Sequence, residues 1–429
     1  MNNLKMRHVI YGVAIFFTIT SLAHRAVYGA GSLHTVDFNY ENDLIGDKAT
    51  GLGGAYCAIS DDPSGAYYNP AGLVFASDNQ VSLSVNNYKQ KHLKIDSAIY
   101  ESEPYTQKID SFYPSFFGIV QSISNFKIAL TILNINNEIL DQDNFYPSVN
   151  APQTGGGTIP VSFNMNYNIT DNTVLGGLSL AHFFFSDSLS IGVSCYGLKR
   201  RSEEIWNQLQ VMYAEDPQSY EISNQYITED IYGVIGKLGI QWMPSDIISI
   251  GTCIGQGMIL SHERHSQILN KRFDDTEVSF KIESEKITDD KMPLEARVGV
   301  AVFPSKLLLI SADLIATTGT QYYQHEVENT FNGALGAEYY ITPSLPIRLG
   351  LFTNFANTPV IDKNKTDQEM HVDMYGASMS LSWQTKNSSI SLSGFYQTGA
   401  GKAQVADSNA VQDVSMYMYS ISLTGSAKY

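Results

Sequence analysis

Two adjacent carboxylates, Asp61 and Asp62, are the first side chains in this chain that could do chemistry. Such a pair could bind a divalent cation or act as an acid and a base. Both stand directly before Pro63, and no histidine or third carboxylate lies at ligand spacing, so the pattern is more typical of a turn cap. The sequence therefore predicts neither a metal site nor a cofactor.

Nucleophilic catalysis has equally little support. A serine nucleophile needs a histidine beside it, and although His182 precedes an aromatic run, nothing singles out one of the many serines as its partner. His182 is instead expected to lie in a belt of aromatic residues. The three cysteines, Cys57, Cys195 and Cys253, stand far apart without metal spacing. They are predicted to be small buried apolar residues, with a disulfide between two of them left open. We do not expect an enzyme.

The charge of the chain limits its partners. The formal net charge is -16, and the short run Lys199–Arg201 is the only basic stripe. Because nucleic acids are bound through clustered lysine and arginine, no nucleic-acid partner is expected.

The first 29 residues have the order of an export signal. Lys5 and Arg7 supply the basic end, an apolar run extends from Val9 to Leu22, and Gly29 is the predicted cleavage position. The alternative is an uncleaved membrane anchor. The sequence therefore predicts an exported protein whose mature chain starts near residue 30.

Strands must position any functional residue in the rest of the chain. From residue 76 to residue 429, apolar and polar side chains alternate with a period of two. In the last segment, the odd-numbered positions from Tyr417 to Tyr429 are mostly apolar and the even-numbered positions are mostly polar. Serines mark the polar side at Ser378, Ser380 and Ser382. A soluble sandwich also alternates, but an apolar outside around a serine-rich interior is typical of a transmembrane barrel.

Short turns and long polar segments alternate between successive strands. The short turns lie at Pro244, Pro304, Pro343 and residues 385–388. The long segments lie at about 135–157, 199–228, 262–293, 317–330, 357–373 and 399–414. This asymmetry matches the periplasmic turns and extracellular loops of an outer-membrane barrel. The sequence predicts an all-β fold, a transmembrane antiparallel β-barrel over residues 76–429, and counting the alternating runs gives about fourteen or fifteen strands.

One long segment predicts a helix. Residues 202–215 begin with a capping Ser202 and place Ile205, Leu209 and Met212 at helical spacing, before Pro217 ends the pattern. Such a helix either packs on the barrel rim or exposes an apolar surface that first captures a lipid.

The segment before the first strand, residues 30–75, has no strand pattern. Gly53 and Gly54 allow sharp turns and close backbone approach. The recurring apolar residues Leu33, Val36 and Phe38 make the segment too apolar to remain exposed to water. A barrel of fourteen strands is too wide to be filled by its own wall side chains. We therefore predict that residues 30–75 form a hatch, or plug, inside the lumen.

Several motifs carry a resemblance to a known family: Gly53-Gly54-Ala55, Ser60–Pro63, Asn69–Gly72, and hairpin-like pieces at 238–246 and 335–343. Through them the chain resembles the bacterial outer-membrane long-chain fatty-acid transporters, the FadL/TodX family. The resemblance implies a fourteen-strand barrel in the outer membrane, surrounded by its lipid and acting as a monomer. It also implies passive transport of long-chain fatty acids or similar hydrophobic compounds through the wall, past the hatch.

The resemblance also implies where the hatch lies. The predicted hatch or gate residues are Gly53, Gly54, Asp61, Asp62, Asn69, Pro70 and Ala71. The family offers no short ligand-binding motif to match, so the predicted ligand-binding residues are chosen for their apolar side chains: Leu33, Val36, Phe38, Ile205, Leu209 and Met212. Asn69 has donors and an acceptor that could tie the plug to the wall, but the motif could equally form a turn that only positions the hatch.

Two other classes of function stay open. A barrel related to PorV could act as a docking or secretion accessory, with its long acidic loops binding protein partners. A general diffusion porin would instead conduct ions steadily.

Overall fold

The computed structural model describes residues 43–429, apart from residues 101, 153–156, 185–187, 214–218, 273–277, 289, 323–324, 366–367 and 406–409. The predicted export signal (residues 1–29) and the first part of the predicted hatch, with Leu33, Val36 and Phe38, lie outside the described residues.

Three short helices precede eighteen strands in the described part of the chain. The helices are Asp47–Gly51, Gly65–Tyr68 and the 3-10 helix Pro70–Phe75. The strands are β1 Asn79–Ile99, β2 Glu103–Tyr113, β3 Phe116–Ile123, β4 Phe126–Pro152, β5 Thr158–Phe184, β6 Leu189–Met212, β7 Ser219–Ser245, β8 Ile248–Arg272, β9 Ser279–Lys286, β10 Leu294–Ser305, β11 Leu308–Thr317, β12 Thr320–Tyr322, β13 His325–Val327, β14 Thr330–Thr342, β15 Leu345–Asn354, β16 His371–Gln384, β17 Ser388–Ala403 and β18 Gln412–Lys428.

The strands form a closed antiparallel barrel. Antiparallel pairing runs in order from β3 to β8, from β8 to β10 and β11, from β11 to β14 and on to β18, and β18 and β3 both pair with β1 to close the ring. β2 and β3 both pair with β1, and β9 and β10 both pair with β8, so each couple is one interrupted wall strand. β12 and β13 form a separate hairpin. The wall therefore has fourteen strands, the number that the family resemblance implied.

The alternation predicted from the sequence is confirmed on both faces of the wall. Ser378, Ser380 and Ser382 are buried in the interior, whereas the intervening Met379 and Leu381 are 53% and 43% exposed on the outside. Large exposed apolar side chains recur on the outer face of nearly every strand. A continuous apolar surface of this kind is stable against hydrocarbon and not against water. Among the described residues, no helix has the length and apolar character to cross a membrane.

The helix predicted for residues 202–215 is wrong. β6 continues to Met212 and pairs along its whole length with β5 and β7. Two adjacent ladders satisfy the backbone of this segment, and this outweighs its local helical spacing. Trp206 and Gln208 are buried in the interior, while Leu209 is exposed on the other face.

Much of the predicted loop sequence also forms strands. β4, β6, β7 and β8 extend well into segments that the sequence assigned to loops at 135–157, 199–228 and 262–293. Their outward positions are mixed and include exposed Asp141, Asp143 and Glu263 beside apolar residues such as Phe145, so the apolar outer band is interrupted here. The short turns are confirmed, since only two or three residues separate the strands at 246–247, 306–307, 343–344 and 385–387. We call the end with these turns proximal and the opposite end distal.

Candidate functional site

Residues 43–76, which we call the N-terminal segment, pack against the inner side of the wall. Asp47 pairs with Arg348 of β15, and the Ala66 carbonyl accepts a hydrogen bond from Ser194 Oγ of β6 at 2.9 Å. The Gly51 carbonyl accepts from Ser378 Oγ of β16 at 3.3 Å. Because these strands lie on different sides of the barrel, the segment crosses the interior from wall to wall.

Asn69 is fully buried at the centre of several of these contacts. Its Nδ2 donates to the carbonyl oxygens of Cys57 at 2.8 Å and of Ile240, on β7, at 3.2 Å. Its Oδ1 accepts from the backbone N–H of Ala71 at 3.1 Å, which caps the 3-10 helix that Pro70 begins. The side chain thus links a turn of the N-terminal segment to the wall.

Gly53 and Gly54 turn the chain sharply after the first helix. Their φ angles are 64° and 84°, in the left-handed region that favours glycine. The Gly54 carbonyl accepts a hydrogen bond from Arg297 Nη1 of β10 at 3.1 Å. The two glycines therefore let the segment reverse direction in contact with the wall.

Asp61 and Asp62 have separate partners. Asp61 accepts hydrogen bonds from Lys48 Nζ at 2.7 Å and from Tyr56 Oη at 2.9 Å. Burial opposes ionisation, but the Lys48 ammonium outweighs it and holds the pKa of Asp61 below its usual range. Asp62 accepts from the backbone N–H of Ser64 at 2.7 Å, as in a turn cap.

Burial and then the nearby Asp47 charge raise the pKa of Asp62 to about 6. The surroundings thus lower the pKa of Asp61 and raise the pKa of its neighbour Asp62. Within the described part of the chain, no group of three or more potential ligands could hold a metal ion.

Charged residues of the wall fasten the segment in ways that the motifs did not indicate. Asp313 Oδ2 on β11 accepts from the backbone N–H groups of Tyr56 at 3.0 Å and Cys57 at 2.8 Å, beside Arg297 at 3.8 Å. Lys237 Nζ of β7 donates to the Tyr67 carbonyl at 2.9 Å. The sequence did carry one signal for these contacts. Lys237, Arg297 and Asp313 are charged residues at positions whose alternation points them into the barrel, on strands that otherwise have apolar or small residues.

A packed group of inward-facing apolar side chains occupies the distal half of the barrel, and we call it the distal apolar cluster. Its buried members are Leu93, Ile95, Ala98, Ile99, Tyr105, Ile109, Leu140, Val149, Ala151, Val161, Phe163, Met165, Tyr167, Ile169, Trp206, Val372, Met374, Ala403, Val405, Val414 and Met416. Tyr100, Tyr146, Ile159, Met212 and Met370 pack against it. Methionine is flexible and polarizable, so a cluster with five methionines can adapt to different apolar shapes.

A seam in the wall lies next to this cluster. Pro114 and Ser115 separate β2 from β3, and β4 carries a bulge between Asn134 and Asn136. Proline lacks a backbone donor and interrupts a ladder. In the described residues, β3 pairs with β4 but β2 pairs only with β1.

Side chains bridge this seam where the backbone ladder is missing. Gln142 Nε2 of β4 donates to the Thr106 carbonyl of β2 at 2.6 Å. Tyr146 Oη of β4 donates to the Pro104 carbonyl at 3.0 Å. Because side-chain bonds can break singly, this part of the wall can open at lower cost than a continuous ladder.

The other predicted residues lie apart from one another. Ile205 and Leu209 lie on the face of β6 opposite Trp206, while Met212 packs against the distal apolar cluster. His182 stacks on Phe126 at 4.5 Å, among aromatic residues of the outer surface.

The cysteine prediction is partly wrong. Cys57 and Cys253 are buried, as expected, but Cys195 is exposed because it takes an outward position on β6. All three are free thiols.

No protein-family model and no curated protein matches this sequence. Solved structures do match. A FadL homologue of Pseudomonas aeruginosa has a TM-score of 0.62 and 14% identity, covering 91% of this chain and 99% of that chain. The toluene transporter TodX of Pseudomonas putida has a TM-score of 0.61 and 14% identity, covering 90% and 99%. The toluene transporter TbuX of Ralstonia pickettii has a TM-score of 0.59 and 14% identity, covering 91% and 100%.

The closed barrel with its apolar outer surface defines the class of this protein as a transmembrane β-barrel. Within that class its fold is FadL-like, as the motifs at Gly53, Asp61 and Asn69 predicted. At this level of identity the likeness is one of fold.

Proposed function

We propose that this protein carries long-chain fatty acids or similar hydrophobic compounds passively across the outer membrane, as a monomer, with its N-terminal segment acting as a hatch. The observation that carries the proposal is the position of the distal apolar cluster directly behind the seam between β2 and β4. Tyr105 and Ile109 of β2, together with Leu140 of β4, belong to the cluster. A hydrophobic molecule that passes the seam would therefore meet an apolar interior at once.

The energetics support an apolar cargo. Each buried methylene contributes about 0.8 kcal/mol, so a chain of modest length binds well without polar contacts. Release requires that the site can change, and the five methionines of the cluster and the side-chain bonds across the seam both allow local rearrangement.

The N-terminal segment supports a closed hatch. Ile45, Leu52 and Tyr56 are fully buried, and the segment is bonded to β6, β7, β11, β15 and β16. A segment held in this way would block a straight water path, which argues against a general diffusion porin. The transporters with the same fold, described as a FadL homologue and as toluene transporters, agree with this choice.

The proposal is tested by uptake of labelled oleate and labelled toluene into cells that lack their own transporter. We expect uptake of at least one compound above that of cells with an empty vector. A heat-modifiable band in the outer-membrane fraction is the control for folding and localisation. If the folded protein is present and neither compound is taken up faster, the proposal is contradicted.

A second candidate function is docking of a protein partner, as in PorV-like accessories. β9 is hydrogen-bonded only to β8 among the described residues, and Phe280 and Ile282 on it are exposed. An unpaired strand edge can accept a strand from another chain. Pull-down from detergent-solubilised membranes discriminates, because an accessory should retain a stoichiometric partner and a transporter should not.

A further inference from the structure

We propose that the cargo bound in the distal apolar cluster is a neutral molecule with a hydroxyl group on a long apolar body, and that fatty-acid anions are excluded from this site. This inference rests on the proposed function and narrows its cargo. It depends on the charges that border the cluster and on one buried tyrosine hydroxyl within it.

The cations that border the cluster are already neutralised by carboxylates. Lys91 lies two residues from Leu93 on the inward face of β1, and its Nζ is 3.1 Å from Glu138 Oε1. Lys89 Nζ is 3.1 Å from Asp43 Oδ2, and both of these side chains are 1% exposed. Buried pairs of this kind leave little net positive charge for a third group.

The same holds at the β5–β6 side of the cluster. Arg200 binds Asp171 through two hydrogen bonds, Nε to Oδ1 at 3.0 Å and Nη2 to Oδ2 at 2.8 Å. Glu204, two residues before Trp206 on β6, hydrogen-bonds with the Tyr167 side chain. A cargo carboxylate would thus meet cations that are already paired with acidic residues, and one further acidic residue. The free-energy cost of removing water from the carboxylate would not be offset by a new ion pair.

Tyr105 supplies the polar contact that a neutral cargo could use. Its side chain is fully buried in the cluster, and its Oη has no hydrogen-bond partner among the described residues. Buried hydroxyls are nearly always hydrogen-bonded, because an unpaired one has lost its water without replacement. A cargo hydroxyl next to Tyr105 would restore that bond.

The position of Tyr105 suits this role. It lies on β2, opposite Ile95 of β1, on the strand that forms one side of the seam. A single phenol hydroxyl is sufficient for a neutral hydroxyl group, whereas a buried carboxylate needs a cation or several donors. The site therefore distinguishes an alcohol from an acid of the same chain length.

The test compares probes with matched chains on the full-length protein in lipid nanodiscs at pH 8. Binding of labelled 1-dodecanol, dodecane and laurate is measured by equilibrium dialysis, with protein-free nanodiscs subtracted. We expect saturable dodecanol binding that is at least about tenfold tighter than laurate binding, as an uncompensated buried charge would cause. Equal or tighter laurate binding would overturn the inference.

Two variants sharpen the assignment to this site. Tyr105→Phe should weaken dodecanol binding by about three- to tenfold and leave dodecane binding unchanged, as loss of one hydrogen bond predicts. Tyr339→Phe, on the exposed outer face of β14, is the matched control and should change neither. Glu138→Gln removes the carboxylate from Lys91 and should increase laurate binding. Unchanged dodecanol binding in Tyr105→Phe would overturn the inference.

These outcomes separate the inference from the proposed function. Saturable binding of dodecane without preference for dodecanol over laurate would retain transport of apolar cargo and reject the neutral-hydroxyl site. Absence of saturable binding for all three probes would contradict the proposed function itself. Heat-modifiability of every variant on gels verifies that the barrel is folded.

Discussion

The Asp313 carboxylate of β11 accepts a hydrogen bond from the backbone N–H of Cys57 at 2.8 Å. The two residues are 256 positions apart in the chain, so this bond joins the N-terminal segment to a wall strand that is distant in sequence. The carboxylate is buried, accepts hydrogen bonds from backbone N–H groups of the segment and lies next to Arg297. It therefore fixes the position of the segment along the barrel axis.

Asp313→Asn should loosen the N-terminal segment and, if that segment is a hatch, make the barrel leak. The amide keeps one acceptor but removes the charge that compensates buried Arg297, and breaking such a pair typically costs about 3–5 kcal/mol. We expect a lower midpoint of thermal unfolding and a higher ion conductance in planar bilayers. Asp413→Asn is the matched control, because its pair with Lys402 is exposed and such pairs contribute only about 0–1 kcal/mol. Wild-type conductance in Asp313→Asn would contradict a role of this bond in closing the hatch.

Gly239→Ala should displace the turn at Asn69. A Cβ on Gly239 would lie 2.0 Å from Asn69 Oδ1, so the side chain that links segment and wall would have to move. Overpacking of this kind costs about 1–3 kcal/mol, and thermal unfolding should detect it. Gly236→Ala, on the same strand with nothing within 4 Å of its Cβ, is the control. Equal unfolding midpoints for the two variants would show that the contact is not restrictive.

Loss of the side-chain bonds across the seam should speed transport. Gln142→Ala combined with Tyr146→Phe removes both side-chain hydrogen bonds from β4 to the backbone carbonyls of β2, and it leaves the ring of residue 146 in place. Each bond contributes about 0.5–1.5 kcal/mol, so we expect a several-fold higher initial rate of toluene uptake. Tyr88→Phe removes a comparable bond, to Asp110, between strands that a backbone ladder already joins, and it should leave the rate unchanged. A rate unaffected by the double variant would argue that cargo takes another path.

Asp62 should make the stability of the N-terminal segment depend on pH. Its folded pKa of about 6 lies above the ordinary aspartate value, so protonation favours the folded state. The contribution of this group is therefore greatest at low pH and is lost as the pH rises from about 4 through 6. Asp62→Asn, which resembles the protonated form, should unfold at nearly the same temperature as the wild type at pH 3.5 and at a clearly higher temperature at pH 7.5. A constant difference across this range would rule out Asp62 as the titrating group.

The wall could be predicted from the sequence because it is encoded locally. A two-residue alternation, serine on one face and short turns at Pro244 and Pro304 depend only on neighbouring residues, and they were sufficient to predict the barrel. The count of alternating runs left fourteen or fifteen strands open, and the family resemblance was needed to choose fourteen. The distal extensions were missed because many of their outward positions are polar, so that this part of the sequence resembles loops. Residues 202–212 show the limit, since two flanking ladders override a helical spacing that the segment has on its own.

The contacts of the site could not be predicted in the same way. The pairing of Arg297 with Asp313 and the reach of Asp313 to Cys57 depend on how strands and segment meet across long sequence distances. The distal apolar cluster draws on eight strands, and its members look like ordinary strand residues in isolation. Only Met212 among the predicted ligand-binding residues that are described packs against it.

The central claim is that hydrophobic cargo crosses a barrel that stays closed to water, and reconstitution into liposomes tests it most directly. The purified protein is assayed in the same vesicles for transfer of a labelled hydrophobic compound and for ion leakage. The account predicts saturable transfer above that of protein-free vesicles together with ion leakage close to theirs. Steady ion conductance through the wild-type protein, without saturable transfer, would contradict it.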